Sequence, residues 1–232
     1  MKKPSTLFKT LRVAGVVAAA ALCVVGCMCG CTVHVSTTTT TSASSSASSS
    51  SSGSSTVISK SYSFDQSVST INIDLRAGDV ALVKGDTLSV ECSIPEQYQP
   101  SVSCNGSTLS ITQEGFDNVS VNGTWTVTIT VPESCDLQSI DVDLDLGTFS
   151  MTGLDCYKAD VETDLGNVVL DNCTINVGEL STDMGDIKTT DTTLVSGKVK
   201  TDLGDITLDG NYDNVDWECE MGQVTVNGKA YN

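Results

Sequence analysis

Beyond about residue 60, apolar and polar positions alternate with a period of two over short runs. Val161, Thr163 and Leu165 alternate with Glu162 and Asp164, and after Gly166 the residues Val168 and Leu170 flank Val169. Later copies read Leu180, Thr182, Met184, then Ile187, and Val199, Thr201, Leu203, then Ile206 and Leu208. Period two places successive side chains on opposite faces of a strand. Residues 60–232 supply no convincing 3.6-residue period. The runs also recur. Asp145-Leu146-Gly147, Asp164-Leu165-Gly166, Asp183-Met184-Gly185 and Asp202-Leu203-Gly204 stand 19 residues apart, and Glu220-Met221-Gly222 follows after 18. A fixed period near 20 is the signature of a stacked array. The pattern therefore predicts an all-β fold, a parallel β-solenoid (β-helix-like) of about 19-residue coils.

Each unit reads as a short strand, a sharp bend and a second short strand. Glycine at the bend permits a positive φ, and the acid two residues before it can cap its own turn. The repeat turns are thus assigned to Asp145, Gly147, Asp164, Gly166, Asp183, Gly185, Asp202, Gly204, Glu220 and Gly222. Stacking brings equivalent residues about 4.8 Å apart. Two buried columns are expected, Leu146/Leu165/Met184/Leu203/Met221 and Phe149/Val168/Ile187/Ile206/Val224, with Thr163, Thr182 and Thr201 facing inward as a hydroxyl ladder.

Upstream, Ile71 to Leu75 followed by Gly78 to Leu82 reads as a looser copy of the unit. Leu88 to Ser93, Ser101 to Cys104, Leu109 to Thr112 and Thr126 to Val131 read as further strands, with turns at Asn105-Gly106 and Asn122-Gly123, and Pro132 ends the last of them. Thr128-Ile129-Thr130-Val131-Pro132-Glu133, then Leu137 and Ile140-Asp141-Val142, then the Asp-Leu-Gly bends, resembles the bacterial putative-adhesin family, a domain of unknown function built of β-strand repeats. The resemblance covers about residues 65 to 230. It implies the fold and offers no catalytic residues.

The N-terminus carries an address. Met1 to Arg12 is basic and Val13 to Gly26 follows without a charge, the pattern of a secretory signal. Val24-Val25-Gly26-Cys27 resembles the lipobox of bacterial lipoproteins, with Cys27 the residue whose thiol receives the lipid. The alternative is an uncleaved anchor, since Val13 to Val35 is long enough to span a bilayer. Either places the rest of the chain outside the cytoplasmic membrane. Ser36 to Thr56 is Ser or Thr at all but three positions, so it reads as a disordered spacer. The expected organisation is 1–26 signal peptide, 27–56 lipid-anchor region and linker, and 57–232 adhesin-like domain.

Charge narrows the function. The chain has 12 basic and 29 acidic residues, and four of the basic ones lie in the first 12 positions. Such a surface repels phosphate backbones, which argues against nucleic-acid partners. The single histidine, His34, falls outside the expected folded region, so imidazole-dependent catalysis has no basis. The acidic column Asp145/Asp164/Asp183/Asp202/Glu220, joined by Asp186 and Asp205, could attract calcium. The glycine-dense calcium repeat is absent, so the acids read as solvated turn caps, with no metal and no cofactor. Six cysteines follow the linker, and in an exported protein an even count suggests disulfides. Cys92 and Cys104, 12 residues apart on strands that could pair, form the expected bridge. Cys156 could join Cys135 or Cys173, and Cys219 points inward. The function expected is a non-enzymatic cell-surface lipoprotein, held to the membrane by its lipid or anchor and binding an envelope or surface ligand. Sensing of envelope stress or antimicrobial peptides is the alternative, and a polysaccharide-acting enzyme a weaker third.

Overall fold

The computed structural model describes residues 33–38, 57–115 and 124–231. Cys27, the apolar stretch before it, most of the Ser/Thr tract and the Asn122-Gly123 turn lie outside these residues. The strands are β1 (Val33–Thr38), β2 (Val57–Phe64), β3 (Thr70–Leu75), β4 (Asp79–Gly85), β5 (Leu88–Pro95), β6 (Ser101–Asn105), β7 (Thr108–Thr112), β8 (Thr126–Pro132) and β9 (Leu137–Leu146). They continue as β10 (Phe149–Thr152), β11 (Asp155–Leu165), β12 (Val168–Asp171), β13 (Thr174–Met184), β14 (Ile187–Leu203), β15 (Ile206–Met221), β16 (Val224–Val226) and β17 (Lys229–Tyr231). All join one large open sheet rather than a closed barrel. Among the described residues the only helical segment is a 3-10 turn at Glu96–Tyr98.

The repeats pair strand on strand, in parallel. Val142 of β9 faces Val161 of β11, then Leu180 of β13, Val199 of β14 and Trp217 of β15. Phe149, Val168, Ile187, Ile206 and Val224 form the matching series on the short strands. The final interval of 18 has a local cause. Thr189 pairs with Leu208 but Thr192 pairs with Gly210, so the register slips by one residue there. A second turn recurs in the unit, at Gly153, Asn172 and Asp191, all with φ between 48° and 68°. Short polar residues tolerate that left-handed conformation better than others.

The looser copy is in place: β3 lies parallel to β9 and β4 parallel to β10, with Leu75 opposite Leu144 and Val80 opposite Phe149. One layer was not foreseen as such. β7 pairs in parallel with the other side of β3, and β8 with the other side of β4. The chain thus lays β3–β4, places β7–β8 beneath it, then returns above it with β9–β10. Antiparallel β6 and β5 flank β7 and β8, and β2 pairs with β5.

Inside, one expected column is fully confirmed. Phe149, Val168, Ile187 and Ile206 are completely buried and Val224 nearly so. Each such side chain contributes about 1.5–3 kcal/mol relative to exposure. Thr163, Thr182 and Thr201 are buried as expected. Thr182 donates to the carbonyl of Gly166 and Thr201 to that of Gly185, both at 2.9 Å. The hydroxyl ladder is therefore satisfied, as burial requires.

The spacer expectation changes at its start. Ser36, Thr37 and Thr38 belong to β1, which pairs antiparallel with β2, so His34 also lies in a strand. Val33 and Val35 remain exposed, so backbone pairing along the outer edge of β2 drives this contact rather than burial.

Candidate functional site

The repeated bend and the strand face beside it form the candidate site. The bend is tighter than conformational freedom alone would demand. A Cβ on Gly166 would stand 1.8 Å from the carbonyl oxygen of Gly147, and one on Gly185 would stand 1.8 Å from that of Gly166. Gly204 and Gly222 meet the preceding glycine at 2.0 and 1.9 Å. Glycine stacks on glycine because nothing larger fits. Positive φ holds at Gly147 (142°) and Gly204 (148°), but Gly166 is outside the strained range, so close approach and not φ is the shared cause.

Two of the acids before the glycines meet cations. Asp145 binds Arg76, with its Oδ1 3.0 Å from Nη1, and Asp202 accepts from Lys200. The turn bonds come from the residue after the glycine. Asn167 Oδ1 accepts the N–H of Asp186, Asp186 Oδ1 that of Asp205, and Asp205 Oδ1 that of Gln223, each at 2.8 Å. Side chains of one repeat thus tie down the backbone of the next. The sequence signal was the Asn/Asp/Asp series at that position.

The largest correction concerns the Leu/Met column. Leu146, Leu165, Met184, Leu203 and Met221 are 41–63% exposed, a straight row on the outer side of the bend. The strand parity that buries Leu144 and Thr163 stops at the turn, and the next residue swings outward.

Beside this row the outward face of the long strands is acidic. Three columns run Asp141/Asp160/Glu179/Lys198/Asp216, Asp143/Glu162/Ser181/Lys200/Glu218, and Asp145/Asp164/Asp183/Asp202/Glu220. Lysines and Arg76 offset part of this: Lys158 meets Asp160 at 3.0 Å and Lys198 meets Glu218 at 2.7 Å. Elsewhere the acids crowd one another. Partial burial, then the neighbouring Asp74 and Asp145, raise the carboxyl of Asp143 above its ordinary range. Partial burial, then Asp143, Asp164 and Asp183, do the same to Glu162. The face is poised to accept positive charge.

The expected Cys92–Cys104 bridge is not formed; neither residue is in a disulfide, and both are buried. β5, which carries Cys92, lies between β2 and β8, whereas Cys104 sits on β6 beside β7, so the two strands are not neighbours. Cys135, Cys156, Cys173 and Cys219 are free as well. Burial pushes the thiols of Cys92 and Cys156 up to about 12, which leaves them unreactive. Cys219 occupies the position of Thr201 and points to the carbonyl of Gly204, as expected.

The surface depressions are shallow. One of about 460 Å³ lies beside the 3-10 turn, lined by Lys60, Glu96, Tyr98 and Gln113, and another of about 330 Å³ lies between Lys84, Glu133, Cys135 and Leu154. Among the described residues no helix is long and apolar enough to cross a membrane.

Stacked parallel strands carrying one repeated, exposed face define a class of all-β domains suited to contact with other molecules. Residues 68–231 match the Toastrack DUF4097 family, and the chain belongs to it. The resemblance to a family of adhesin-like proteins of unknown function, seen in the Val-Pro-Glu segment and the bends, is borne out. The chain is similar to a putative adhesin from Bacteroides fragilis, at 16% identity and TM-score 0.46, covering 74% of this chain and 97% of that one. It is similar also to a putative cell adhesion protein from Clostridium sporogenes, at 17% identity and TM-score 0.48, covering 68% and 92%. A putative lipid binding protein from Parabacteroides distasonis shares 14% identity at TM-score 0.27, covering 74% and 95%. No curated protein matches.

Proposed function

We propose that this protein is a non-enzymatic, cell-surface lipoprotein, lipidated at Cys27, whose parallel β-solenoid of 19-residue coils serves adhesion or a structural role at the bacterial envelope. The observation that carries the reading is the exposed Leu146/Leu165/Met184/Leu203/Met221 row beside the acidic columns. Strand pairing fixes these side chains at a regular spacing, and a stack of ladders holds them rigid, so the contact surface is preorganised. The lipid-bearing segment and the Ser/Thr tract would hold this surface away from the membrane. The 19-residue offset of the paired strands supports the coil size.

The test is attachment. Cells displaying the wild-type chain are compared on mucin- and fibronectin-coated surfaces with cells displaying Leu165→Ser, Met184→Ser and Leu203→Ser together. These exposed positions should leave surface abundance unchanged while attachment falls to that of cells lacking the protein. Equal attachment by all three strains would remove adhesion.

The crowded acidic columns favour one second reading, the capture of cationic peptides as a damage signal. In that case loss of the protein leaves attachment intact and changes survival under polymyxin B.

A further inference from the structure

Among the described residues the outermost long strand of the stack is formed by residues 211–221, and it differs from the interior strands. The Asn211–Met221 part of β15 pairs in parallel with β14 on one edge. Among the described residues no strand pairs with its other edge; β17 pairs only with β16, and its Tyr231 ring packs edge-on against Trp217 at 5.3 Å. The core is open there too. Val199 and Thr201 are completely buried, whereas Trp217 and Cys219, their register partners on the terminal strand, are only half-buried. An uncovered strand edge is a template for another strand.

The charges on this strand state what would fit. Its outward side chains Asp216, Glu218 and Glu220 are all acidic. On the preceding strand, Lys198 and Lys200 stand opposite Asp216 and Glu218, and Lys198 Nζ bonds Glu218 Oε2 at 2.7 Å. A second copy is a poor occupant. Two copies joined edge to edge would bring these acids together. The opposite end does not present a repeat strand: antiparallel β6 lies outside β7, and antiparallel β5, β2 and β1 lie outside β8, so a head-to-tail copy would not continue the parallel stack.

We propose that the free edge of Asn211–Met221 accepts an extended strand from a partner protein in which basic residues alternate with apolar ones. The basic side chains meet Asp216, Glu218 and Glu220, and the apolar ones close over Trp217 and Cys219. Backbone bonds supply affinity and the alternation supplies choice of partner. This goes beyond contact through the Leu/Met row, which lies on the bend rather than at the end of the stack.

The probe is a fluorescein-labelled Lys-Val-Lys-Val-Lys-Val-Lys peptide, titrated against the full chain in about 0.15 M salt, where distant surface charges are screened. A control peptide with proline replacing the central valine keeps every charge but interrupts the strand. The first peptide is expected to bind saturably and to slow amide exchange within residues 211–221, with the control weaker by at least roughly tenfold. Asp216→Lys with Glu218→Lys should lose the basic peptide and gain Glu-Val-Glu-Val-Glu-Val-Glu, which also shows that this variant is folded. Leu165→Ser with Met184→Ser should bind the basic peptide as wild type does, so this test and the attachment test fail independently. Equal binding of the proline control, protection at the Asp145–Asp202 column instead, or no binding at all would each overturn the proposal; the last would mean that the acids merely blunt the edge.

Discussion

Gly166→Ala isolates the close approach of the bends from backbone conformation. Gly166 needs no left-handed φ, so alanine is costly there only through its new methyl group. That carbon would lie 1.8 Å from the carbonyl oxygen of Gly147 and 2.6 Å from its carbon, where real contacts do not fall below 3.0 Å. The two layers must therefore separate locally by more than about 1 Å. Two bonds span them at this point, Gly147 N–H to Leu165 O at 3.0 Å and Phe149 N–H to Asn167 O at 2.9 Å. Neither survives such a shift. Their loss costs about 1–3 kcal/mol together, and forcing an extra carbon into a filled site adds about 1–3 kcal/mol. A total of roughly 2–6 kcal/mol lowers Tm by about 5–20 °C for a domain of this size. Two companions complete the assay, thermal unfolding followed by circular dichroism. Gly115→Ala meets no atom within 4 Å and should melt like wild type. Gly106→Ala also meets nothing but sits at φ 59°, so it pays only the conformational strain of about 1–2 kcal/mol. If Gly166→Ala melts within about 2 °C of Gly115→Ala, the glycine-on-glycine contact does not hold the stack together and the reasoning fails.

Two further expectations follow from the acids. Asp186→Ala removes the acceptor for the N–H of Asp205 and should destabilise by about 0.5–1.5 kcal/mol in urea unfolding, whereas Asp186→Asn retains it and Asp183→Ala is close to neutral; a larger loss at Asp183 than at Asp186 would reverse the assignment of the turn bond. The carboxyls of Asp143 and Glu162 hold their protons more tightly when folded than when unfolded, so their contribution to stability is greatest at low pH and falls as pH rises from about 4 through the raised folded values. Asp143→Asn with Glu162→Gln should flatten that fall and exceed wild type in urea midpoint at neutral pH, and parallel pH profiles for the two proteins would refute it.

Much of the architecture was legible because the repeat carries two independent periods. The two-residue period assigned strands, and the 19-residue period assigned their partners, since Val161, Leu180 and Val199 can sit in one column only if equivalent residues stack. The buried threonines were readable for the same reason. The position of β7–β8 was not. Leu109 and Ile111 alternate correctly, yet nothing local says that they pair with Ile71 and Ile73 across 38 residues rather than with the next strand in the chain. Long-range parallel pairing leaves no mark on the segment itself. The disulfide failed on the same ground: a spacing of 12 residues allows contact only if β5 and β6 are neighbours, and that is a fact of topology.

The Leu/Met row shows where parity stops being informative. Leu144 and Leu146 share a strand face by the period-two rule, and Phe149 lies on the other parity. If the chain stayed extended, Leu146 and Phe149 could not both face inward, so the expectation of two buried columns was already inconsistent with a straight strand. The bend resolves the conflict in one direction. Gly147 is pressed against Gly78 of the neighbouring layer, where a β-carbon would stand 2.1 Å from the carbonyl oxygen, so the chain turns tightly at this point. Phe149, past the corner, fills the interior completely, and Leu146 is left outside at 41% exposure. The same geometry is imposed on each repeat by its own glycine. An apolar residue kept at the outer corner in five successive repeats gains little from the core of its own chain, and this is why the proposed contact surface is centred on the row.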